Sequence, residues 1–295
     1  MASITAVDER TGRKFFLDDP EDLAPSEQVV FLLNLHGGSS HGTWQRAYFP
    51  AHDYRDRYRL VTAAPSAATR EPFSRWKSAA DDAHLEGIVE HVVARYGRDR
   101  LRAFWLVGHS QGGLTSQRLL GTDYFAERVD GWLSLSGGRI GRAKPSPTAG
   151  PPRPPGYESQ PPQPRPPRPP LALPECDLSF VFAIGEHEID ELPKTSPWAE
   201  RYGAGPRVQL PDVVDEEAGQ IFDEMREGYS TPAWGLRPRP GRAQIYVFPD
   251  ARDGRVIADV VRLDKGHTEG LEPKVTQAIL ELMLREPGGK IARLR

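Results

Sequence analysis

Apolar runs of strand length alternate along this chain with segments that have a helical period. The runs are residues 29–35, 59–64, 103–107, 129–135 and 178–184. Between the second and third runs, residues 78–96 repeat apolar side chains at helical spacing, and Ser78 and Asp81 have the spacing of a capping box at its start. Continuous apolar strands separated by helices are typical of a parallel sheet with both faces covered. The pattern therefore predicts an α/β fold with a mainly parallel central sheet flanked by helices.

The C-terminal part of the chain has a different pattern. Residues 243–248 and 255–263 flank Asp253-Gly254, and an Asp-Gly pair between two such runs predicts a β-hairpin. Residues 273–286 then place their apolar side chains on one helical face, so the pattern predicts a final helix there.

Two insertions interrupt the alternation, in a chain that we expect to form one domain over residues 1–295. Residues 144–174 hold about half of the chain's 29 prolines, which favours an extended or disordered segment. That segment could cover the active site, bind an SH3-like groove or remain a solvated loop. Residues 193–242 could form a cap with an aromatic-lined pocket, or their aromatic side chains could anchor the insertion to the core. Those aromatic residues are Trp198, Tyr202, Phe222, Tyr229 and Trp234.

The pentapeptide Gly108-His109-Ser110-Gln111-Gly112 joins the 103–107 strand to the next helical segment. It fits the G-x-S-x-G pattern, in which a serine on a sharp strand-to-helix turn has an exposed hydroxyl. Glycines two positions before and after the serine keep side chains out of that crowded turn. The motif and its context together predict Ser110 as a nucleophile.

A serine hydroxyl becomes an effective nucleophile when a neighbouring base accepts its proton. Of the eight histidines, His267 alone follows the last predicted strand, where the chain order serine, acid, histidine puts the base. The acid is expected after the 178–184 strand, to orient the imidazole and stabilise its charged form. Glu188, three residues after Gly185, is the first choice; Asp190 is the alternative and Glu186 comes third.

Backbone N–H groups are expected to stabilise a tetrahedral oxyanion. One should be the amide of Gln111 at the start of a helix, where the helix dipole assists. The other should come from the loop after the first predicted strand, with Gly38 as first choice and Ser39 as second. Trp44 could form a wall of the acyl pocket or belong to the core, and the side chain of His109 should point away from the serine Oγ. The candidate substrate-pocket residues are His36, Ser39, Trp44 and His109.

Three motifs together resemble the α/β-hydrolase superfamily: His36-Gly37-Gly38, the pentapeptide around Ser110, and Gly266-His267-Thr268. The chain is most similar to its poly(3-hydroxybutyrate) depolymerase-like and feruloyl-esterase-like branch, because the hairpin at Asp253-Gly254 leads straight into the His267 motif. The resemblance covers about residues 28–137 and 178–285. It implies an α/β-hydrolase fold with a triad of Ser110, His267 and Glu188.

The chain departs from that branch in three ways. We expect no leader peptide and no disulfide, although both are frequent in that branch. The expected acid is a glutamate where aspartate is commoner, and a Pro-rich insertion replaces a short connection. These departures favour a small-molecule or oligomeric ester over an extracellular polymer as substrate.

Composition and charge exclude several other classes of function. A net charge of −3 provides no basic surface for nucleic acid, and a single cysteine, Cys176, excludes an internal disulfide and a thiolate metal site. No H-x-x-x-H motif or carboxylate cluster has the spacing of metal ligands, so no metal is expected, and no cofactor is expected either. No apolar run is long enough for a membrane span, and the first 25 residues do not resemble a signal peptide, so the expected location is the cytoplasm. The pattern does not indicate an oligomeric state.

The sequence thus predicts a serine esterase that cleaves carboxylic esters through an acyl-enzyme. Two alternatives remain. The first is a serine peptidase or amidase with the same triad. The second is a binding protein that uses the Pro-rich segment 144–174 for contact.

Overall fold

An eleven-stranded sheet forms the centre of the protein in the computed structural model, which describes residues 4–70, 74–141, 144–145, 173–221, 231–235 and 238–294. Its strands are β1 (Ile4–Val7), β2 (Lys14–Asp18), β3 (Val29–Leu35), β4 (Leu60–Pro65), β5 (Leu101–His109), β6 (Gly131–Leu135), β8 (Ser179–Gly185), β10 (Val208–Gln209), β11 (Val213–Ala218), β12 (Pro240–Val247) and β13 (Ile257–Leu263). Two short strands outside the sheet, β7 (Lys144–Pro145) and β9 (Ile189–Glu191), pair with each other. The helices are α1 (Gly42–Tyr48), α2 (Arg55–Tyr58), α3 (Ser78–Tyr96), α4 (Gln111–Leu119), α5 (Asp123–Ala126), α6 (Pro197–Arg201), α7 (Pro273–Met283) and α8 (Lys290–Arg293).

The strand order places a parallel block between antiparallel edges. The order is β1-β2-β4-β3-β5-β6-β8-β13-β12-β10, with β11 also paired to β12. The six strands from β4 to β13 are parallel, whereas β1, β2, β12, β10 and β11 pair antiparallel to their neighbours. The α/β fold with a mainly parallel sheet is therefore confirmed.

Buried side chains on the two faces of the sheet form two cores. Along β3, Phe31 and Leu33 belong to the core that includes α3, whereas Val30 and Leu32 belong to the core that includes α1 and α7. This alternation follows from the two-residue repeat of a strand, and burial of both faces explains why β3 is apolar throughout. The helices thus hold the central strands, and with them the loops at the strand ends.

The predicted start of α3 was wrong in detail. The helix begins at Ser78 as expected, but the residue that caps it is Lys77, and Ser78 forms no capping hydrogen bond. The Asp81 carboxylate accepts the backbone N–H of Lys77 at 2.8 Å and that of Ala68 at 2.8 Å. Because Asp81 also binds a neighbouring loop, a tertiary contact replaces the local capping box.

The two insertions have different relations to the sheet. Of residues 144–174, positions 146–172 lie outside the described part of the chain, as do Phe222 and Tyr229 in the second insertion. In residues 193–242, β10 and β11 extend the central sheet beside β12. Trp198 and Tyr202 are buried in the core, which matches the anchoring alternative for these two side chains.

Within the described ranges, no helix is both long and apolar enough to cross a membrane.

Candidate active site

Ser110 lies on the tight turn between β5 and α4, with a φ of 51° and a ψ of −114°. A side chain in this backbone region is strained, and such strain is typical of functional turns. A Cβ on Gly108 would lie 2.3 Å from the carbonyl carbon of Gly112, and a Cβ on Gly112 would lie 2.2 Å from the oxygen of Leu35. The two glycines are thus required for β5, α4 and β3 to approach this closely.

A chain of hydrogen bonds links Ser110, His267 and Glu188. The Ser110 Oγ lies 2.9 Å from Nε2 of His267, and the His267 Nδ1 lies 2.6 Å from Oε2 of Glu188. The imidazole and the carboxylate are 14% and 7% exposed, so bulk water only partly screens their interaction. In the tautomer whose Nδ1–H donates to Glu188, Nε2 is free to accept the serine proton.

The other two carboxylates considered from the sequence do not contact His267. Asp190 is exposed on β9. The Glu186 carboxylate accepts the backbone N–H of Asp264 at 2.8 Å. Of the three acids after β8, the fold therefore brings only Glu188 to the imidazole.

Ser136, which the sequence reasoning missed, holds the second oxygen of Glu188. Its hydroxyl donates to Glu188 Oε1 at 2.7 Å, and the backbone N–H of Gly185 donates to the same oxygen at 2.9 Å. Ser136 has a φ of 49°, and its own N–H donates to the oxygen of Ala183 at 2.7 Å. A hydroxyl directly after the predicted 129–135 strand was the available sequence signal, since adjacent parallel strands end at the same sheet edge.

The His267 ring packs against Trp234 from the second insertion. The two ring centroids are 5.0 Å apart, with an angle of 25° between the planes. The backbone of the same turn is joined to the histidine loop, because the N–H of His267 donates to Ala233 at 3.0 Å and that of Thr268 donates to Trp234 at 2.7 Å. The sequence marked Trp234 only as a possible pocket or anchor residue, and the fold places it on the imidazole.

Four charged side chains are buried beneath the loop that carries His267: Arg262, Lys265, Glu269 and Glu272. Arg262 donates to the carbonyl oxygens of Glu269 and Gly270, at 2.6 Å each. Its guanidinium also lies 3.3 Å from the Glu272 carboxylate, and the Lys265 Nζ lies 2.9 Å from that carboxylate. Burial favours the neutral acid, but attraction to the two cations outweighs burial and lowers the pKa of Glu272. The ion pair between Lys265 and Glu272 and the hydrogen bonds from Arg262 thus fix the loop on both sides of His267. No sequence motif indicated these contacts.

The loop between β3 and α1 (residues 36–41, the β3–α1 loop) contacts the serine turn through its glycines. A Cβ on Gly37 would lie 3.3 Å from the Cβ of Ser110, and a Cβ on Gly38 would lie 3.7 Å from the side-chain oxygen of Gln111. The amide of Ser39, the second choice for the oxyanion, donates to the oxygen of Ser74 at 2.7 Å. The amide of Gly38 has no such acceptor among the described residues.

His36 is a buried residue that packs beneath this loop. The sequence predicted it as a substrate-pocket residue, but its side chain does not reach an open surface. It is fully buried, and its Nε2 accepts the N–H of Ala67 at 3.0 Å, so its proton must be on Nδ1, which donates to the oxygen of Gly37 at 2.6 Å. Burial lowers the pKa of His36 to about 4. A neutral His36 with a defined tautomer therefore orients the Gly37 peptide.

The aromatic residues beside the serine form a cluster with His267. His109 is buried, and its Nε2 donates to the carbonyl oxygen of His267 at 2.9 Å, so its side chain is engaged away from Ser110. Burial holds the pKa of His109 well below its usual range. Its ring lies 4.0 Å from that of Tyr48 and 5.5 Å from that of the half-buried Trp44. Trp44 thus packs on this cluster with part of its surface open.

Within the described ranges, no group of three or more metal-ligating side chains is placed to hold an ion.

Comparisons with known proteins agree with this architecture. Residues 29–286 match the Alpha/beta hydrolase family. The acetyl xylan esterase from Aspergillus awamori superposes over 96% of this chain and 98% of its own length, with 11% identity and a TM-score of 0.51. The apo form of Thermogutta terrifontis esterase 2 is 15% identical over 62% of this chain and 71% of its own, with a TM-score of 0.39. An S-formylglutathione hydrolase from Staphylococcus aureus is 19% identical over 46% of this chain and 57% of its own, with a TM-score of 0.33.

No curated protein sequence shows significant similarity to this one. The family match spans most of the chain, from β3 to just beyond the end of α7, and includes the serine turn and the histidine loop. On these grounds the protein is a member of the alpha/beta hydrolase family.

Proposed function

We propose that this protein is a serine hydrolase that cleaves carboxylic esters through an acyl-enzyme intermediate. The observation that carries the proposal is the hydrogen-bond chain from Ser110 Oγ through His267 to the buried carboxylate of Glu188. Such a chain allows one imidazole to remove a proton from the serine and to keep the resulting charge next to a carboxylate. In this proposal Ser110 is the nucleophile, His267 the general base and Glu188 the acid.

The reaction proceeds in two halves. Ser110 Oγ attacks the ester carbonyl carbon while its proton passes to Nε2 of His267. The tetrahedral intermediate then collapses, the bond to the alcohol oxygen breaks, and the imidazolium gives its proton to that oxygen. Water repeats the sequence on the acyl-enzyme, releases the acid and restores Ser110. Glu188 remains ionised throughout and stabilises the imidazolium.

The oxyanion of each tetrahedral intermediate is assigned to two backbone amides. Gln111 is the first residue of α4, where amides have no acceptor within the helix. The amide of Gly38 supplies the second hydrogen bond, and this choice is supported because the neighbouring Ser39 amide is already bonded to Ser74. Trp44, with part of its ring open, is assigned to the wall of the substrate pocket.

The substrate class we propose is a small-molecule or oligomeric carboxylic ester. One protein with which this chain superposes over nearly its full length is described as an acetyl xylan esterase. Within the family, we propose a place near the poly(3-hydroxybutyrate) depolymerase-like and feruloyl-esterase-like enzymes, because the β12–β13 hairpin leads directly to Gly266-His267-Thr268.

The test is turnover of p-nitrophenyl esters of increasing acyl length by matched variants. Ser110→Ala, His267→Ala and Glu188→Gln should each lower kcat, by about 10⁴-fold or more for the serine and the histidine. His187→Ala and Asp190→Asn are the controls, because neither side chain contacts the imidazole, and both should keep activity. Circular dichroism should show an unchanged fold. Unchanged turnover by Ser110→Ala would refute the proposal.

The same assay separates the alternatives. Hydrolysis of peptide amides with no activity on any ester would favour an amidase. Loss of a partner in pull-down after deletion of residues 146–172, with no hydrolase activity in the intact chain, would favour the binding-protein alternative.

A further inference from the structure

A cleft beside the β3–α1 loop has no part in the reaction described above. Its volume is about 860 Å³, which lies within the range of roughly 300–1,000 Å³ that is usual for small-molecule sites. It opens between β2, the end of β4 and the β3–α1 loop, and Phe16 and Ala64 contribute apolar surface. This combination of size and position makes the cleft a candidate subsite.

The cleft is adjacent to the groups that would hold the reacting carbonyl. Gly37 and Gly38 contact the serine turn, and the next residue, Ser39, lines the cleft. The Ser39 amide donates to the backbone oxygen of Ser74, and Ser74 also lines the cleft. Since consecutive Cα atoms are about 3.8 Å apart, the cleft begins within one or two residues of the proposed oxyanion donor. A substrate of moderate length can therefore reach both places.

The chemistry of the lining is cationic and rich in hydroxyl groups. Lys14 and Arg70 line the cleft, are exposed and have no ion-pair partner among the described residues. Arg13 adds a third cation, whose Nη2 lies 3.0 Å from the Asp81 carboxylate. No described residue that lines the cleft is itself a carboxylate.

The hydroxyl groups are placed to donate. Ser66 Oγ accepts the backbone N–H of Gly42 at 3.0 Å, so its own proton remains available for another acceptor. Ser39, Thr43 and Ser74 add further hydroxyl groups to the lining. Cations and hydroxyl donors, with no carboxylate among the described lining residues, match an oxygen-bearing anion.

We propose that this cleft binds a carboxylate carried by the ester substrate at a distance from the scissile bond. The inference rests on the proposed esterase function and specifies its substrate as an acidic ester, such as a half-ester of a dicarboxylic acid or an ester of a hydroxylated carboxylic acid. Lys14 and Arg70 attract the carboxylate, and the hydroxyl groups bind its oxygens and those of the adjoining skeleton. Ser110 hydrolyses the ester at the other end.

The experiment compares charged and neutral substrates in matched pairs. In the first pair the charge is on the acyl part: mono-p-nitrophenyl succinate and adipate against their methyl-capped neutral diesters. In the second pair it is on the leaving group: 4-acetoxybenzoate against methyl 4-acetoxybenzoate. The quantity measured is the ratio of kcat/KM for the charged substrate to that for its neutral partner, in wild type and in the Lys14→Gln/Arg70→Gln double variant.

The double variant should lower this ratio by about five- to tenfold for at least one pair, as expected when two partly solvated charges are removed. The loss should shrink at 0.5 M salt, where the Debye length is only about 4 Å. Arg98→Gln/Arg285→Gln is the control, because it removes two exposed cations near the opposite end of β5, and it should leave the ratio unchanged. Turnover of neutral esters should be the same in all three proteins.

Two results overturn the inference while leaving the esterase proposal intact. One is a ratio that changes by less than twofold in the double variant or falls equally in the control. The other is hydrolysis of neutral esters by a wild type that turns over no carboxylated ester. Failure of the esterase proposal would look different, since Ser110→Ala would then hydrolyse the neutral esters as fast as the wild type.

Discussion

The carboxylate of Glu188 receives three hydrogen bonds that use both of its oxygens. His267 binds Oε2, while Ser136 and the amide of Gly185 bind Oε1. Donors on both oxygens fix the orientation of the carboxylate toward the imidazole. Ser136 is thus a positioning residue, which acts on the imidazole through Glu188.

Ser136→Ala tests this role. Loss of one hydrogen bond to a charged group should lower kcat/KM by about tenfold. The loss should appear mainly in kcat, because the Ser136 hydroxyl holds Glu188, and Ser136→Thr, which keeps the hydroxyl, should restore most of the activity. Ser134→Ala is the matched control, because the Ser134 hydroxyl is buried without a hydrogen-bond partner in the described part of the chain. Equal kcat values for Ser136→Ala and Ser134→Ala would contradict the role given to Ser136.

The indole ring of Trp234 stacks on the imidazole of His267. An indole face stabilises a cation by about 0.5–2 kcal/mol, so it should favour the imidazolium that forms during the reaction. Trp234→Leu should lower kcat about threefold, whereas Trp234→Phe, which keeps an aromatic face, should keep most of the activity. An unchanged kcat with leucine would show that Trp234 acts only as packing.

The candidate site depends on which strands are neighbours. Ser110, Ser136, Glu188 and His267 follow β5, β6, β8 and β13, and these four strands lie side by side in the parallel block. Because parallel strands end at the same edge, residues separated by up to 157 positions meet there. Each loop contributes one side chain. The register between the four strands therefore determines the distances between these side chains.

A buried ion pair joins the loop after β6 to β13. Arg139 binds the two oxygens of Asp259 at 2.9 and 2.8 Å, and it also donates to Thr195 at 3.1 Å. Arg139→Met leaves a buried carboxylate unpaired and should lower the free energy of unfolding by about 3–5 kcal/mol.

Two further variants make that prediction specific. Arg139→Met/Asp259→Leu should recover most of the loss, since it also removes the buried charge. Arg118→Met breaks the more exposed pair with Asp82, 39% and 25% exposed, and should cost less than about 1 kcal/mol. Urea unfolding measures all three variants, and an equal loss in Arg139→Met and Arg118→Met would contradict the assignment.

Three buried histidines make the stability of the whole molecule sensitive to acid. Burial lowers the pKa of His36 to about 4 and also lowers the pKa values of His84 and His109, although His84 is paired with Asp8. The unfolded chain binds these protons near pH 6.5. Their neutral forms therefore contribute stability that is complete above that pH and is lost as the pH falls towards 4.

One acidic group opposes this trend. Burial raises the pKa of Asp130 to about 6, so its contribution is present at low pH and is lost as the pH rises through 6. Three groups outweigh one, and the free energy of unfolding should fall between pH 7 and pH 5. Urea titrations at pH 7, 6 and 5 measure this slope, and a flat or rising stability towards pH 5 would contradict the argument.

The strand order of the sheet is evidence for the number of domains. Strands from both ends of the chain, β1 to β2 and β12 to β13, belong to one sheet, and α8 packs beside β5. We therefore propose that residues 1–295 form a single domain, which should unfold in one cooperative transition at pH 7.

Local pattern alone was sufficient for much of this protein. Apolar runs of strand length, the helix at 78–96 and the pentapeptide around Ser110 are properties of neighbouring residues, because burial and turn geometry impose a repeat on adjacent positions. The α/β fold with a mainly parallel sheet followed from them, and the resemblance to α/β hydrolases implied the order serine, acid, histidine. The N-terminal strands were missed, although Lys14 to Asp18 alternates in burial, since one short strand is a weak signal.

Tertiary structure decided the contacts between distant residues. The sequence left open whether Glu188, Asp190 or Glu186 is the acid that orients His267. The turn after β8 places only the Glu188 carboxylate against the imidazole. The positions of Ser136 and Trp234 depend on strand order and on how an insertion folds back, neither of which any short segment encodes. The same holds for Arg262 beneath the histidine loop, since a buried charge is tolerated only where its partners, supplied by the completed fold, surround it.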